Sequence, residues 1–405
     1  MKRAFLLSLF ATAFCTATAF AESNATKIIV SAGALDRLQV PAYFSTKELL
    51  VKPKALRNSK GEILPLQIAW DETATFIVER LPKGKSLIFE LFDELPPKPV
   101  VAIEAKAARV DKTIRFSWND KTVMTYQLEP GPLPRAGLAN ELLRGGYLQS
   151  VFSPSGRLVT DDFPEKHAHH HGIWFPWTKT KFEDRTPDFW NMSAGKGRVE
   201  FVALDRHWDG PIHSGLVAKH RFVDLTAKPP KTALDEVWEL QMYRQLGTNN
   251  PYTSIDLRST QKCAIAAALE LPEHMYGGLG LRGNRAWDNG QPTRFLTSNG
   301  ETDRKKAHGT RAKWCHIGGE VDGKLTGIAI LSHPENFRFP QPMRIHPDEP
   351  FFCYAPQQLG DMAIKPGDKY ISRYRFIVMD GAPDTGELER LWNDYATPPK
   401  VELIE

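Results

Sequence analysis

The sequence has little cysteine, no excess of charge of one sign and no apolar run beyond its first residues, and each shortage excludes a class of protein. Four cysteines occur in 405 residues and none forms a C-x-x-C pair, so no thiol metal site or dithiol redox motif is indicated. We expect Cys263, Cys315 and Cys353 to be small buried side chains. The 52 basic and 48 acidic residues nearly balance, so the chain lacks the basic footprint of a nucleic-acid-binding protein.

The one apolar run lies at the N-terminus and predicts a signal peptide over residues 1–21. Lys2 and Arg3 precede the largely apolar segment Ala4–Phe14, and Ala19-Phe20-Ala21 supplies the small-x-small pattern of a cleavage site. The run is too short and too rich in Ala and Thr for a membrane anchor, and no later run reaches roughly 18 apolar residues. The sequence therefore predicts cleavage near Ala21 and a periplasmic or secreted protein without a membrane span.

Alternating apolar and polar residues predict an all-β protein, because such alternation gives a strand one buried face. Short alternating segments fill residues 22–102, which we predict to be a small β-sandwich accessory domain. The proline-rich stretch Glu94–Pro99 predicts the boundary, and residues 103–398 predict a large antiparallel β-sandwich. Only Glu387–Tyr395 reads as a helix, with Asp384 or Thr385 as its N-cap.

A histidine-rich stretch followed by tryptophans is the most distinctive feature of the chain. Four of its twelve histidines fall within five residues, and Trp174, Trp177 and Trp190 follow closely, the last preceded by Asp188. Imidazoles donate or accept protons near neutral pH, and indoles offer flat apolar faces with one N–H donor. Such a surface suits a sugar-like ligand, which presents C–H faces to rings and hydroxyls to polar groups.

The same histidines allow a metal site as an alternative. In a strand, His167, His169 and His171 would share one face, and His170 would lie on the other. A catalytic metal site wants a third ligand, often a carboxylate, and the first acidic residue downstream is Glu183. Six further histidines could contribute from a distance: His207, His213, His308, His316, His333 and His346.

Three further stretches combine aromatic, basic and polar residues. Glu273–Gly283 is glycine-rich, which lets the backbone approach a ligand closely, and it carries Tyr276 and Arg282. Arg311–His316 and Ser332–Pro340 each place a histidine beside a base and an aromatic. His333 with Glu335 in the last stretch could form an acid–base pair, or Glu335 could instead pair with Arg338 on the surface.

The order of these motifs resembles a known family. The motifs are H-x-H-H-x-G-[IL]-W-F at 167–175, D-F-W at 188–190, Y-G-G-L-G-L-R at 276–282, R-x-K-W-C at 311–315, S-H-P-x-N-x-R-x-P at 332–340, and a closing strand at 370–378. This series is similar to the secreted bacterial PmoA-like family over roughly residues 106–395. The family commonly has H-P-H-H-R-G, where this chain has Ala168 and His171 at the proline and arginine positions.

The resemblance implies a β-sandwich similar to galactose mutarotases and a role in glycan use. Mutarotase-like enzymes use a histidine acid and a glutamate base, and His170 and His171 resemble such an acid. No glutamate of this chain matches a motif, and Glu273 and Glu335 are candidates by residue type alone. The family label "methane oxygenase" would imply an integral-membrane copper subunit, which conflicts with the absence of a spanning segment in the mature sequence.

The sequence therefore predicts an exported carbohydrate-active protein, which uses histidine-assisted proton transfer for epimerisation, glycoside hydrolysis or β-elimination. The alternatives are a non-catalytic glycan-binding protein and a metal-dependent enzyme with a divalent ion at the histidines. No cofactor and no nucleic acid partner are predicted. The predicted catalytic residues are His170, His171 and His333, and the predicted sugar-binding residues are His167, His169, Trp174, Asp188, Trp190, Tyr276, Arg282, Trp314, Asn336 and Arg338.

Overall fold

The computed structural model describes residues 26–93, 105–287 and 293–404, and these residues are nearly all β. The predicted all-β fold with large antiparallel sheets is confirmed. The predicted signal peptide and the proline-rich Glu94–Pro99 joint lie outside the described residues.

The N-terminal part forms two small sheets around a core of its own. Its strands are β1 (Lys27–Ser31), β2 (Arg37–Ser45), β3 (Ala55–Asn58), β4 (Ile63–Pro65), β5 (Gln67–Ile68), β6 (Thr73–Leu81) and β7 (Ser86–Phe92). β2, β6 and β5 form one sheet, and β1, β7, β3 and β4 belong to the other. The last strand of the chain, Lys400–Ile404, pairs with β1 and completes that second sheet. The C-terminus is therefore part of the N-terminal sandwich.

The remaining strands build the large sandwich. They are β8 (Ala105–Val110), β9 (Thr113–Trp118), β10 (Lys121–Gln127), β11 (Tyr147–Val151), β12 (Ile173–Trp174), β13 (Lys181–Phe182), β14 (Gly197–Trp208), β15 (His213–Asp224), β16 (Lys231–Tyr243), β17 (Tyr252–Cys263), β18 (Leu269–Leu271), β19 (Gly280–Arg282), β20 (Arg294–Thr297), β21 (Trp314–Val321), β22 (Lys324–Ser332), β23 (Met343–Ile345), β24 (Phe351–Tyr354), β25 (Met362–Ile364) and β26 (Tyr370–Asp380). The helices are α1 (Arg304–Ala307) and α2 (Thr385–Ala396), with 3-10 turns at Asn140–Leu142, Met192–Ala194, Arg285–Trp287 and Pro356–Leu359.

Two eight-stranded sheets form the layers of the large sandwich. The first has the order β23-β24-β19-β12-β11-β10-β9-β8, and the second has the order β14-β15-β16-β17-β26-β22-β21-β20. Alternate residues of both sheets point into the shared core, such as Ile173 and Phe175 from the first sheet and Trp238 and Leu240 from the second. The intervening Trp174 belongs to a separate cluster on the outer face of the first sheet. The two sheets therefore have outer faces on opposite sides of the sandwich.

The predicted helix is confirmed, and so is the predicted burial of Cys315 and Cys353, whereas Cys263 is only partly buried. Helix α2 begins after Asp384, whose side chain accepts a hydrogen bond from the Glu387 backbone N–H and so caps the helix. Cys263, Cys315 and Cys353 are free, and the last two are fully buried. Among the described residues, no helix has the length and apolar character needed to cross a membrane.

A buried histidine of β21 gives the fold a testable dependence on pH. Both ring nitrogens of His316 are buried without a partner among the described residues, and burial lowers its pKa to about 3. The unfolded chain binds this proton near pH 6.5 and the folded chain does not. Since its folded-state pKa is depressed, His316 by itself contributes a fall of about 1.4 kcal/mol per pH unit in the free energy of unfolding as the pH drops from 6.5 toward 3.

We expect His316→Leu to reduce this slope by about the same amount between pH 6 and pH 4, because one proton no longer distinguishes the two states. Urea unfolding at a series of pH values measures the slope. His207→Leu, which removes an exposed imidazole of β14, is the matched control. An unchanged slope in His316→Leu would contradict the assignment.

Candidate functional site

The histidine stretch is a tight loop that leads into β12, and it is not a strand. The His170 backbone N–H donates to the His167 carbonyl oxygen at 2.8 Å, which closes a turn. Gly172 then passes directly against β11, where a Cβ would lie 2.3 Å from the Leu148 carbonyl oxygen. The backbone N–H of Arg282 donates a hydrogen bond to the Gly172 carbonyl oxygen at 2.8 Å, which connects the loop to β19.

Because the stretch is a loop, the alternation expected for a strand does not apply, and the imidazoles pack against one another. The rings of His167 and His170 stack with centroids 4.9 Å apart, and His169 meets the edge of His170 at 4.7 Å. The other face of the group rests on Phe351 of β24, whose ring stacks on His170 at 4.6 Å. His170 and His171 are buried, whereas the side chain of His167 is 33% exposed.

A second loop, between β23 and β24, brings a glutamate to this group. Glu349 Oε2 lies 2.7 Å from His167 Nδ1 and 2.5 Å from Arg282 Nη1. Glu349 is 182 residues from His167 in sequence, and the two meet because β12, β19 and β24 are neighbours in the first sheet. We call His167, Arg282, His346 and Glu349 the histidine site.

The charge on Glu349 determines where the proton of this pair lies. Burial raises the pKa of Glu349, but its hydrogen bond and charge interaction with Arg282 outweigh burial and hold the pKa below its ordinary value. The group is therefore a carboxylate at neutral pH and can only accept hydrogen bonds. His167 Nδ1 must carry the proton, and its Nε2 is left with a free lone pair when the ring is neutral.

His346 has the opposite tautomer. Its Nδ1 accepts hydrogen bonds from the backbone N–H groups of Asp348 and Glu349, at 3.3 and 3.1 Å. Burial lowers the pKa of His346 to about 4, so the ring is neutral at pH 7 and its proton lies on Nε2. The site therefore combines an imidazole acceptor on His167 with an imidazole donor on His346, with ring centroids 5.4 Å apart.

A buried network supports the loop from below. His171 Nδ1 hydrogen-bonds to Asp162 Oδ1 at 2.6 Å, and the Tyr147 hydroxyl donates to Asp162 Oδ2 at 2.9 Å. Burial lowers the pKa of His171 despite the nearby Asp162, and burial also lowers the pKa of His170 well below its ordinary value. Both rings are therefore neutral and enclosed, which favours a positioning role over direct contact with a substrate.

The predicted aromatic residues lie beside the histidine site, but mostly out of reach of solvent. Trp174 is fully buried and Trp190 is 2% exposed, with ring centroids 5.3 Å apart. Neither offers a free face for stacking on a sugar, and both pack behind His170. Tyr276 is partly exposed at the edge of this cluster and meets Trp190 at 5.0 Å.

His169 and Asp188 differ in how free they are to bind a ligand. His169 is partly exposed, and burial together with the neighbouring His167 lowers its pKa to about 4. Asp188 accepts hydrogen bonds from the backbone N–H groups of Trp190 and Asn191 and from the Asn191 side chain. The Asp188 carboxylate therefore holds the turn after it.

Three other predicted site residues, His333, Asn336 and Trp314, lie in or next to strands of the second sheet. His333 follows β22 and meets Tyr395 of α2 at 5.1 Å, and Asn336 bonds to both backbone groups of Arg373. Trp314 is fully buried and its Nε1 donates to Glu389 of α2 at 3.1 Å. These side chains connect β21, β22 and β26 to the C-terminal helix.

Arg338 and Glu335 also have structural partners, whereas the Glu273 side chain is exposed. Arg338 donates to the carbonyl oxygens of Pro356, Gly360 and Asp361, which fixes that loop. Glu335 pairs with Arg373 at 3.0 Å, and Glu273 is exposed beyond the aromatic cluster.

Within residues 26–93, 105–287 and 293–404, the group whose spacing could hold a metal ion is His167, His346 and Glu349, each with one possible ligand atom within 4.8 Å of the others. The donors present do not fit a divalent ion. His346 Nδ1 already accepts two backbone N–H groups, which leaves the proton on the other nitrogen. Glu349 Oε2 is shared by Arg282 and His167, and the guanidinium cation would repel a metal ion.

The sequence did not indicate Glu349 or Asp162, and it offered His346 only as one of six histidines that could contribute from a distance. The segment His346-Pro347-Asp348-Glu349 does place acids beside a histidine, but no spacing rule connects it with residues 167–171. The tertiary pairing of short strands creates that connection, and a single sequence carries no record of it.

An open cavity of about 170 Å³ adjoins the site. Arg282 and Glu349 reach it from the histidine site. Its other walls carry charges of both signs, from Asp161, Glu165, Lys166, Arg285 and Asp348. A substrate in this cavity would meet hydrogen-bond donors and acceptors together.

We expect Arg282→Ala to reduce the free energy of unfolding by about 3–5 kcal/mol, because it leaves the Glu349 carboxylate buried without its cation. The side chains are 1% and 5% exposed. Urea unfolding measures the change. The matched control is Arg109→Ala, whose ion pair with Glu129 is exposed and should cost no more than about 1 kcal/mol. Equal effects of the two substitutions would contradict a buried pair.

No curated protein matches the sequence. Among solved structures, the chain is similar to a protein in glycosyl hydrolase family 38 from Enterococcus faecalis (9% identity, TM-score 0.45, 95% of this chain and 48% of the other). It is also similar to an alpha-mannosidase from Enterococcus faecalis V583 (8%, 0.42, 94% and 46%) and to the heparan sulfate lyase HepC from Pedobacter heparinus (11%, 0.35, 69% and 37%).

The chain spans less than half the length of these three proteins, and such low scores transfer no activity to it. The amino-acid sequence shows which family the chain belongs to. The family described as "Family of unknown function (DUF6807)" matches residues 113–393, which is more than half of the chain and most of the large sandwich. The chain belongs to this family of unknown function.

Proposed function

We propose that the protein is a carbohydrate-active enzyme in which His167, held by Glu349, transfers a proton to or from a sugar substrate. The observation that carries the proposal is the 2.7 Å contact between His167 Nδ1 and Glu349 Oε2, with His167 partly exposed and Glu349 buried. A carboxylate that fixes one imidazole nitrogen leaves the other nitrogen ready to act as a base.

Each member of the site has a separate task in this mechanism. His167 Nε2 accepts a proton from the substrate, and the buried carboxylate of Glu349 stabilises the imidazolium that forms. Arg282 keeps Glu349 ionised and in place. His346 Nε2–H donates a hydrogen bond to a substrate oxygen, which supports charge that develops there. His170 supports the ring of His167 by stacking on it.

The surroundings of the site favour a neutral, hydroxylated substrate. The adjoining cavity mixes acidic and basic side chains, so a polyanion would meet repulsion from its carboxylates and a polycation from its arginines. Hydroxyl groups can donate to the acids and accept from the bases. Tyr276 supplies the partly exposed ring nearest to the buried aromatic cluster. The site supports epimerisation, glycoside cleavage and β-elimination alike, because each needs a positioned proton transfer.

Two predictions from the sequence remain open beside this proposal. The PmoA-like resemblance and export through residues 1–21 stay predictions. A non-catalytic glycan-binding protein is the alternative function, in which the same residues bind sugar without turnover.

We expect His167→Ala and Glu349→Gln to lower kcat by about 10²- to 10⁴-fold on a substrate found by screening glycosides and oligosaccharides, because the first removes the base and the second removes the carboxylate that orients it. NMR of the products measures turnover. His207→Ala removes an exposed histidine of β14 and is the matched control. Chelation of protein made without a histidine tag should leave kcat unchanged.

Full turnover in both site variants would refute proton transfer by this pair. Saturable sugar binding without turnover in the wild type would favour the binding protein. Loss of turnover on chelation, restored by one divalent ion, would favour the metal-dependent enzyme.

A further inference from the structure

A second cleft lies where the N-terminal sandwich meets the outer face of the second large sheet. It has a volume of about 250 Å³, and its lining includes Trp70 and Asp71 from the turn between β5 and β6. Glu239 of β16 and Asp256 of β17 line the opposite wall. We call this the junction cleft.

The junction cleft and the histidine site are separate. In β16, Glu239 lies between the core residues Trp238 and Leu240, so its side chain points away from the shared core. Asp256 likewise lies between two core residues of β17. The histidine site lies on the outer face of the first sheet, on the other side of the sandwich.

The junction cleft has an exposed aromatic ring that is held in place. Trp70 is 51% exposed, although it is among the largest apolar side chains of the protein. The Arg206 guanidinium lies over its ring, 4.4 Å from the centroid. Such a contact fixes the indole through a cation–π interaction. An ordered, exposed indole is the flat surface on which the C–H face of a sugar ring packs.

The floor of the junction cleft is a hydrogen-bonded network from both parts of the protein. Arg375 donates to the two Asp256 oxygens at 2.6 and 2.8 Å, and the Tyr243 hydroxyl donates to Asp256 at 3.1 Å. Tyr43 of the N-terminal sandwich bonds to the Tyr243 hydroxyl at 2.5 Å. The two sandwiches are therefore joined at the cleft, and the Asp256 carboxylate is fixed at its edge.

Four of the five charged residues that line the cleft form ion pairs, and the fifth, Asp71, accepts a hydrogen bond from the Thr73 backbone N–H. Glu239 accepts from Arg258 at 3.2 Å, Asp256 pairs with Arg375, and Arg373 pairs with Glu335 at 3.0 Å. A ligand that formed an ion pair with one of these four residues would have to displace its present partner. A neutral hydroxylated ligand can bond to the outer lone pairs and N–H groups of the same residues without breaking them.

From these observations we infer that the junction cleft is a second carbohydrate-binding site, which takes a segment of a neutral oligosaccharide or polysaccharide. Trp70 packs against a sugar ring, and Asp71, Glu239 and Arg258 bond to its hydroxyls. The inference shares a ligand class with the proposed function but none of its residues. It gives the N-terminal sandwich a role in holding a glycan chain while the histidine site acts on another part of the polymer or on another molecule.

Affinity electrophoresis of the full chain in gels containing galactomannan, xyloglucan, mixed-linkage β-glucan or soluble starch tests the inference. We expect at least one of these neutral polysaccharides to retard the wild type. Trp70→Ala should weaken that retardation at least tenfold, and Trp70→Phe should restore most of it. The matched control is Phe337→Ala, since Phe337 is 45% exposed and also has an arginine, Arg338, over its ring at 4.9 Å.

The outcomes separate this inference from the proposed function. Retardation that survives Glu349→Gln but not Trp70→Ala supports the junction cleft, whether or not turnover is found. Retardation that is lost in Glu349→Gln and kept in Trp70→Ala overturns the inference and leaves the histidine site as the sugar site. No retardation by any of the four polysaccharides, or stronger retardation by heparin than by all of them, also overturns it.

Discussion

The buried ion pair between Arg282 and Glu349 is the interaction on which the histidine site depends. Both side chains are almost fully enclosed, so each would be costly without the other. The pair keeps Glu349 ionised, the ionised carboxylate fixes the tautomer of His167, and the fixed tautomer leaves a lone pair on Nε2 when the ring is neutral. The backbone N–H of Glu349 also fixes the tautomer of His346. Thus one residue orients both histidines.

The fold explains why such a site lies on the outer face of the first sheet. β12, β19 and β24 are only two to four residues long; His167 lies in the loop before β12, Arg282 is the last residue of β19, and Glu349 lies in the loop before β24. The long strands β14 to β17 of the second sheet supply the stable backing through a large shared core. A group of buried polar residues can be held precisely only where the layer beneath it is rigid, and this sandwich provides that layer.

The sequence predicted the fold class, helix α2 and the clustering of histidines, because these depend on local alternation, capping and composition, but the strand considered for residues 167–171 is a loop. It did not predict Glu349 and His346 as partners of His167, because short strands distant in the chain create that contact. The sequence also predicted that Trp174 and Trp190 stack on a sugar. A sequence shows that an indole is present, but it does not show whether other side chains cover the faces of its ring. In the structure these rings pack behind the histidines.

The tautomers of His167 and His346 are the most direct test of the proposed mechanism, because proton transfer at the histidine site depends on which ring nitrogens carry protons. Long-range ¹H–¹⁵N NMR of protein labelled at histidine distinguishes protonated from unprotonated ring nitrogens at pH 7. We expect a protonated Nδ1 and an unprotonated Nε2 on His167, and an unprotonated Nδ1 and a protonated Nε2 on His346. A protonated Nε2 on neutral His167, or ring nitrogens of both residues bound to a metal ion, would contradict it.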